Sequence, residues 1–406
     1  MTIQVGAHTR DLSKTNQAVA ASQVKVAASS RMPFVDNLRV FLTILVVVFH
    51  LAITYGADAS WFYRERPTTE LAATLLTLFL CLCQFFFMGL FFLISGYFVP
   101  GSLSRKGGFR YFKDRLIRLG IPLVLYAFLI SPFVEYIKSV TVYGHSGSLG
   151  ASYLSSWQHL KVTPGPLWFV ELLLVFTLVY VLGKAALDWV KRTASKTTSD
   201  AVRKPITHAK IIAFILALAP LSFATRLIIP IGVEWKNLGV AFFPQYILMF
   251  AVGILAYRQG WLPDLPSRIS RTWNVIAILA MITLPVMMVT AGSAENFAPF
   301  MGGFTLQSAI LSIWEAVYCV SMSILMLSLF RARFDIQGSL ARFLSRNAYT
   351  VYIIHPILIV PLAFLLRGIS IDPLLKFALV SPLAVAICFV FSQYIVRRIP
   401  HADQVL

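Results

Sequence analysis

The sequence predicts an all-α polytopic membrane protein built as a bundle of ten transmembrane helices. Of its 406 residues 58% are hydrophobic, and the mean hydropathy is +0.76. Charged residues make up 13% of the chain, about half of their usual share in soluble domains. Ten apolar runs reach the roughly 17–25 residues that a helix needs to span a bilayer. They occupy approximately 34–55, 71–98, 116–137, 166–187, 210–230, 239–257, 273–291, 308–330, 347–366 and 375–396.

These runs take up almost the whole chain and leave no room for a separate soluble domain. We therefore predict one membrane domain over residues 34–398, with a short cytoplasmic tail at 399–406. Residues 1–33 are rich in Ala, Ser, Val and Thr and contain no apolar core of the kind found in a cleavable signal. We expect them to form a disordered cytoplasmic tail.

The net charge of +18 is distributed as membrane orientation requires, which argues against a nucleic-acid partner. Of the 35 Lys and Arg residues, 26 fall in the amino-terminal segment and in every second connection, and 7 fall in the other five connections. Basic residues concentrate on the cytoplasmic side of membrane proteins. Both termini are therefore predicted to be cytoplasmic, as an even number of spans requires.

The first apolar run carries polar groups along one face. Arg39 and His50 are eleven residues apart, and eleven steps of about 100° return almost to the same face while advancing roughly 16 Å. Asp36, Thr43 and Thr54 share that face. Ionisable groups in the bilayer are costly and usually face a bundle interior or a functional site. We expect this polar stripe to line an internal cavity that admits a polar substrate.

Two intramembrane acids lie at about the same predicted depth as His50. Glu171 is about five residues into the fourth run and Glu315 about seven residues into the eighth, both counted from the outer surface. For Glu315 we favour a structural hydrogen-bonding role. For Glu171, which follows Trp168 after a Gly-Pro turn, we favour pairing with His50, because Asp36 is roughly 21 Å away along its own helix.

Two further features leave alternatives open. Arg115 and Arg118 are three residues apart and would share one face of a regular α-helix. They are either orientation charges or a guanidinium fork for the phosphates of a cytoplasmic ligand. His355, about nine residues into the ninth run and followed by Pro356, is either a structural hydrogen-bond node or a second cavity-lining group.

The four cysteines suggest neither disulfides nor a metal site. All lie within predicted spans, without the spacing of a zinc site or of a secretory disulfide framework. They are Cys81, Cys83, Cys319 and Cys388. We expect buried thiols, no metal and no permanently bound cofactor.

Four motifs in order resemble those of acyltransferase family 3, which contains membrane O-acetyltransferases and O-succinyltransferases of bacterial envelope carbohydrates. The segment VDNLRVFLTILVVVFH is similar to the family's Arg-x10-His signature, and FFLISGYF to its second-helix motif. RLIR at Arg115 to Arg118 resembles its Arg-x-x-Arg motif, and YTVYIIHP its late His-Pro motif. The first segment is especially similar to the branch that contains a periplasmic glucan succinyltransferase. We expect no carboxy-terminal hydrolase-like domain of the kind that some members carry.

The resemblance implies a reaction and a location. The chain would transfer an acetyl or succinyl group from cytoplasmic acyl-coenzyme A, a donor substrate, to a hydroxyl of an envelope carbohydrate. It would lie in the bacterial cytoplasmic (inner) membrane, with acyl-coenzyme A, a carbohydrate acceptor and membrane lipid as its partners.

The local chemistry, taken together with this reaction, suggests roles for individual residues. His50 would act as general base or acyl carrier, oriented by Glu171. The donor would be held by Arg39, Arg115 and Arg118. Five residues would line the cavity: Asp36, Ser95, Trp168, Glu315 and His355.

The alternative from another functional class is a proton-coupled transporter or an exporter of an envelope precursor. Ten helices with a polar stripe and intramembrane acids would suit such a carrier equally well. Two observations argue against a carrier. The cytoplasmic pair Arg115 and Arg118 lies on the route to a single histidine, His50, and the sequence does not show the repeated halves that many carriers have.

Overall fold

The computed structural model describes residues 32–65, 68–144, 146–159, 163–193, 203–235, 238–291 and 294–406. Within these ranges the structure is helical and has no strand, only one isolated β-bridge between Trp235 and Leu238. The predicted tail at 1–33 lies almost wholly outside the described residues.

The ten predicted spans are confirmed, since ten helices in the described part of the chain are long and apolar enough to cross a membrane. We number them α1 to α10 in chain order. They are Pro33–Tyr55, Glu70–Lys106, Gly108–Thr141, Gly165–Val190, His208–Ile228, Val240–Gln259, Ser267–Thr290, Leu306–Arg333, Ser339–Gly368 and Pro373–Arg398. Two shorter helices, Leu149–Gln158 and Ala294–Met301, lie in connections.

Helix α1, which carries the polar stripe, lies inside the bundle. It packs against α2, α8, α9 and α10, and α1 and α8 are the most buried of the ten spans. Its apolar faces are covered by those helices, with Leu38, Leu42 and Val47 fully enclosed. The stripe therefore faces protein along most of its length, as the cost of exposing polar groups to lipid requires.

Helix α2 is interrupted midway, at Phe85 and Phe86. The interruption frees backbone carbonyls that lipid could not satisfy, so protein donors must reach them. Gln245 of α6 donates from Nε2 to the carbonyl of Phe85 at 2.7 Å, and Tyr318 of α8 donates to that of Leu82 at 3.1 Å. Donors from neighbouring helices thus satisfy backbone carbonyls at the interruption of α2.

Helix α3 differs from the prediction in its start and in its regularity. It begins at Gly108 instead of residue 116, because the basic stretch that follows Gly107 is itself helical. It also contains two π-helical segments, Leu116–Gly120 and Tyr126–Ile130. Such segments are rare and occur frequently at functional sites.

Candidate active site

Two histidines from distant parts of the chain meet inside the bundle. Nε2 of His355, on α9, lies 3.2 Å from Nδ1 of His50, on α1, and the two rings stack with their centroids 4.9 Å apart. His355 is fully buried and His50 is half-buried. The sequence indicated both residues but not their contact, which makes His355 part of the same site as His50.

Backbone carbonyls determine which ring nitrogens carry protons when both rings are neutral. Nδ1 of His50 lies 2.9 Å from the carbonyl of Val46, and Nδ1 of His355 lies 2.8 Å from that of Tyr352. A carbonyl only accepts, so each Nδ1 must donate and each Nε2 holds a lone pair. The Nδ1 proton of His50 is then shared between Val46 and His355. The lone pair on Nε2 of His50 is left to act as a base or a nucleophile.

Pro356 explains why the carbonyl of Tyr352 accepts from His355. In a regular helix that carbonyl would accept from the backbone N–H four residues later, but residue 356 is a proline and has no N–H. The imidazole of His355 supplies the missing donor. The adjacent histidine and proline therefore set the tautomer of His355 and, through it, support that of His50.

A tryptophan from the connection between α1 and α2 covers the pair. Trp61 stacks on His50 with centroids 4.0 Å apart and lies 5° from parallel to His355 at 6.3 Å. Its indole N–H is buried and has no hydrogen-bond partner among the residues that the structure describes. An unsatisfied buried donor therefore lies beside the histidine pair.

The connection that carries Trp61 is held in place at both ends. The backbone N–H of Glu65 donates to the carbonyl of Thr54 at 2.8 Å, and Nζ of the buried Lys376 lies 2.5 Å from a carboxylate oxygen of Glu65. Arg64 donates to the carbonyl of Ala57 at 3.2 Å. Burial, reinforced by the Glu65 carboxylate, raises the pKa of Tyr63 and keeps its hydroxyl neutral. Trp61 is thus held as a rigid cover.

The 3-10 segment that begins α4, Gly165–Leu167, contacts α9 one turn before His355. The hydroxyl of Tyr352, three residues before His355, donates to the carbonyl of Pro166. Trp168 follows two residues later, half-buried and stacked on Tyr246 with centroids 5.3 Å apart. Glu171 is half-buried in the first α-helical turn that follows the 3-10 segment of α4. Its pairing with His50 stays a prediction.

The basic residues cluster at the other end of α1. Arg39 is half-buried, packs over the ring of Phe98 at 4.8 Å, and interacts electrostatically with both Asp36 and Arg115. Nε of Arg115 donates to the hydroxyl of Tyr111 at 3.1 Å. Arg39 and Arg115 therefore contribute positive charge to one region at this end of α1.

The two arginines of the RLIR motif have different surroundings. Arg115 is half-buried and Arg118 is exposed, and a π-helical segment begins between them. That segment changes the angular phase of α3, so the regular α-helical spacing used in the prediction does not apply here. The carbonyl of Arg118 accepts from the hydroxyl of Tyr349 at 2.8 Å, which joins this point of α3 to α9.

The structure records other contacts for two of the remaining predicted cavity residues, Glu315 and Asp36. Glu315 is fully buried and ion-paired with Arg226 of α5, whose Nη1 also donates to Ser312 at 3.0 Å. Arg226 lies near the end of the predicted span 210–230 and is fully enclosed within the bundle. This ion pair is consistent with the structural role favoured for Glu315 from the sequence, which stays a prediction. Ser95 is half-buried on α2, and Asp36 accepts from the side chain of Gln337 at 3.3 Å.

Trp61 and Arg226 are the residues at these sites that the sequence did not indicate as functional or structural partners. Trp61 lies in a short aromatic-rich connection directly after the helix that carries His50, and this proximity was the available signal. No group of three or more His, Cys, Asp or Glu residues in the described ranges could hold a metal ion.

Comparisons with known proteins identify relatives over most of the chain. A family model described as an acyltransferase domain matches residues 32–393. The chain is also 22% identical over 330 residues to proteins named glucans biosynthesis protein C from Salmonella paratyphi B and Salmonella agona. The match covers 79% of this chain and 82% of each of these relatives.

Proposed function

This chain belongs to acyltransferase family 3, and we propose that it transfers a short acyl group to a carbohydrate hydroxyl at the histidine pair. As a member, it is a membrane enzyme that transfers groups other than amino-acyl groups. The observation that carries the proposed site is the His50–His355 contact, which leaves Nε2 of His50 with a lone pair in an enclosed position.

In the proposed reaction, His50 acts as a general base. The acceptor oxygen forms a bond to the carbonyl carbon of an acyl thioester while its proton passes to Nε2 of His50. The carbonyl electron pair moves to the carbonyl oxygen and then returns as the carbon–sulfur bond breaks. The departing thiolate takes the proton from His50, which restores the starting state. In the acyl-carrier form of the proposal, the same lone pair first forms a bond to the thioester carbonyl carbon, and the carbon–sulfur bond breaks to release the thiolate. The acceptor oxygen then bonds to that carbon as the bond to imidazole breaks, and the hydroxyl proton passes to the thiolate.

We propose acyl-coenzyme A as the donor. Its phosphates suit the region of positive charge around Arg39 and Arg115, because guanidinium groups bind phosphate through charge-assisted hydrogen bonds. Arg39 and His50 are separated by roughly 16 Å along α1, so a long, thin donor could reach from one to the other. Arg118 would contribute from the exposed rim of this region.

The proposed acceptor is an envelope glucan and the proposed acyl group is acetyl or succinyl. The name of the Salmonella relatives, glucans biosynthesis protein C, supports the acceptor class. We further propose that the chain lies in the bacterial cytoplasmic membrane with both termini in the cytoplasm, which the charge distribution supports. Donor and acceptor would then approach from opposite faces.

The test is direct transfer by the purified protein. We expect radiolabel from acetyl- or succinyl-coenzyme A to appear in a glucan-containing envelope extract only when the protein is present. If the label stays on coenzyme A while protein in vesicles moves a glucan precursor across the membrane, the chain is an exporter and the proposal is wrong.

The same assay tests the donor site. Arg115→Ala should weaken donor binding about 10- to 150-fold, since a hydrogen bond to a charged group contributes about 1.5–3 kcal/mol. The control is Arg110→Ala, which removes an exposed arginine from the same basic stretch. Equal donor affinity in the two variants would show that Arg115 does not bind the donor and serves only to orient the protein in the membrane.

A further inference from the structure

A separate cavity of about 420 Å³ lies between α5, α6 and α8, at the end of the bundle where α5 begins and α6 and α8 end. Its volume falls within the range of about 300–1,000 Å³ that is usual for ligand sites. Its walls are almost entirely apolar, with Phe214, Met249 and Val320 among them. An apolar groove of this size suits a hydrocarbon chain.

The rim of the groove is basic. Lys204, Lys210 and Arg331 line it, and none of the ion pairs recorded within the described ranges involves them. Lys204 precedes α5, Lys210 lies in the first turn of α5, and Arg331 lies in the last turn of α8. Their positive charge is therefore concentrated at one mouth and available to an anion.

Trp261 orders this rim. Its indole N–H donates to the carbonyl of Lys204 at 2.9 Å, and Nζ of Lys210 lies 5.5 Å from the centre of its ring. Gln259 accepts from the backbone N–H of Lys204 at 2.6 Å. A tryptophan flanked by lysines is typical of the membrane–water interface. The mouth of the groove therefore lies where lipid headgroups are found.

We propose that this groove binds one acyl chain of an anionic phospholipid, with the phosphate at Lys204, Lys210 and Arg331. Basic pockets between transmembrane helices bind anionic headgroups. Coenzyme A shares the phosphate chemistry, but its polar pantetheine arm would lose its hydrogen bonds to water against the apolar walls. The groove is distinct from the histidine pair, so this proposal does not depend on the reaction proposed above.

The test measures lipid binding to the purified full-length protein by native mass spectrometry, with phosphatidylglycerol, phosphatidylcholine and coenzyme A as probes. We expect phosphatidylglycerol to bind more tightly than phosphatidylcholine. Because each basic residue near a membrane surface contributes about fivefold in affinity, Lys204→Gln with Arg331→Gln should weaken phosphatidylglycerol binding about 25-fold. Both residues are exposed, so the fold should be retained.

Two further variants distinguish binding of the acyl chain in the groove from nonspecific attraction to surface charge. Ala213→Trp fills the groove from an exposed position on its wall and should abolish tight binding of phosphatidylglycerol. Arg333→Gln removes an exposed cation at the same end of α8 that does not line the groove, and should bind as the wild type does.

Several results would overturn the proposal. Equal binding of the two phospholipids would show that the three cations do not recognise the headgroup. Wild-type binding of phosphatidylglycerol by Ala213→Trp would place the acyl chain elsewhere. An equal loss in Arg333→Gln would make the effect one of general surface charge. Displacement of phosphatidylglycerol by coenzyme A would assign the groove to a nucleotide ligand.

Discussion

Replacing Pro356 with alanine should lower the rate of acyl transfer without destabilising the protein. The new alanine would regain the N–H that a regular helix donates to the carbonyl of Tyr352, and would compete with Nδ1 of His355 for that acceptor. At most, the histidine loses one hydrogen bond with a net contribution of about 0.5–1.5 kcal/mol. The transfer rate should therefore fall by about 2- to 12-fold.

The fold should tolerate this change, since proline in a helix interior is about 3 kcal/mol less favourable than alanine. Pro361, in the same helix, offers a matched control because it frees the carbonyl of Ile357, to which no histidine donates among the described residues. Pro361→Ala should keep the wild-type rate.

The assay is the initial rate of radiolabel transfer by purified protein, with thermal unfolding measured in the same detergent. A wild-type rate for Pro356→Ala would refute the link from proline to carbonyl to histidine. An equal loss of rate in Pro361→Ala would refute it too, because the cause would then be a change in helix curvature.

Three other variants test the surroundings of the site. Trp61→Ala should slow acyl transfer about 2- to 12-fold, because it removes the ring that stacks on His50, whereas Trp61→Phe should keep most of the rate. Equal rates in the two variants would contradict a role for this stacking. Glu171→Gln should lower the rate but not the thermal stability, and an unchanged rate would exclude a dyad with His50. Glu315→Leu should lower the free energy of unfolding by about 3–5 kcal/mol, because it leaves the charge of Arg226 buried and unpaired. Adding Arg226→Met should recover most of this loss. Thermal unfolding that shows no recovery in the double variant would count against the ion pair.

Local features of the sequence were enough to predict the ten helices and the polar stripe. Hydropathy and helical periodicity are properties of short segments, so α1 could be recognised with Arg39 and His50 on one face. The pairing of His50 with His355 could not, because it joins residues 305 positions apart and depends on how α1 packs against α9. For the same reason the ion pair of Arg226 with Glu315, 89 positions apart, could not be predicted.

The arginine pair shows a second limit. Arg115 and Arg118 were predicted to share a face on the assumption of a regular α-helix, and the π-helical segment between them changes that phase. No periodicity in the sequence indicates such a segment. Conversely, the sequence contains the adjacent His355 and Pro356, but their effect on the tautomer could be recognised only from the distance between Nδ1 of His355 and the carbonyl of Tyr352.

The most direct test of the central claim is the rate of acyl transfer by purified His50→Ala protein. Loss of a general base commonly lowers a rate by about 10²–10⁴-fold, and we expect a loss in that range with thermal unfolding close to the wild type. His401→Ala, at an exposed position near the carboxy terminus, should leave the rate unchanged. A folded His50→Ala protein that transfers acyl groups at the wild-type rate would contradict the assignment of the reaction to the histidine pair.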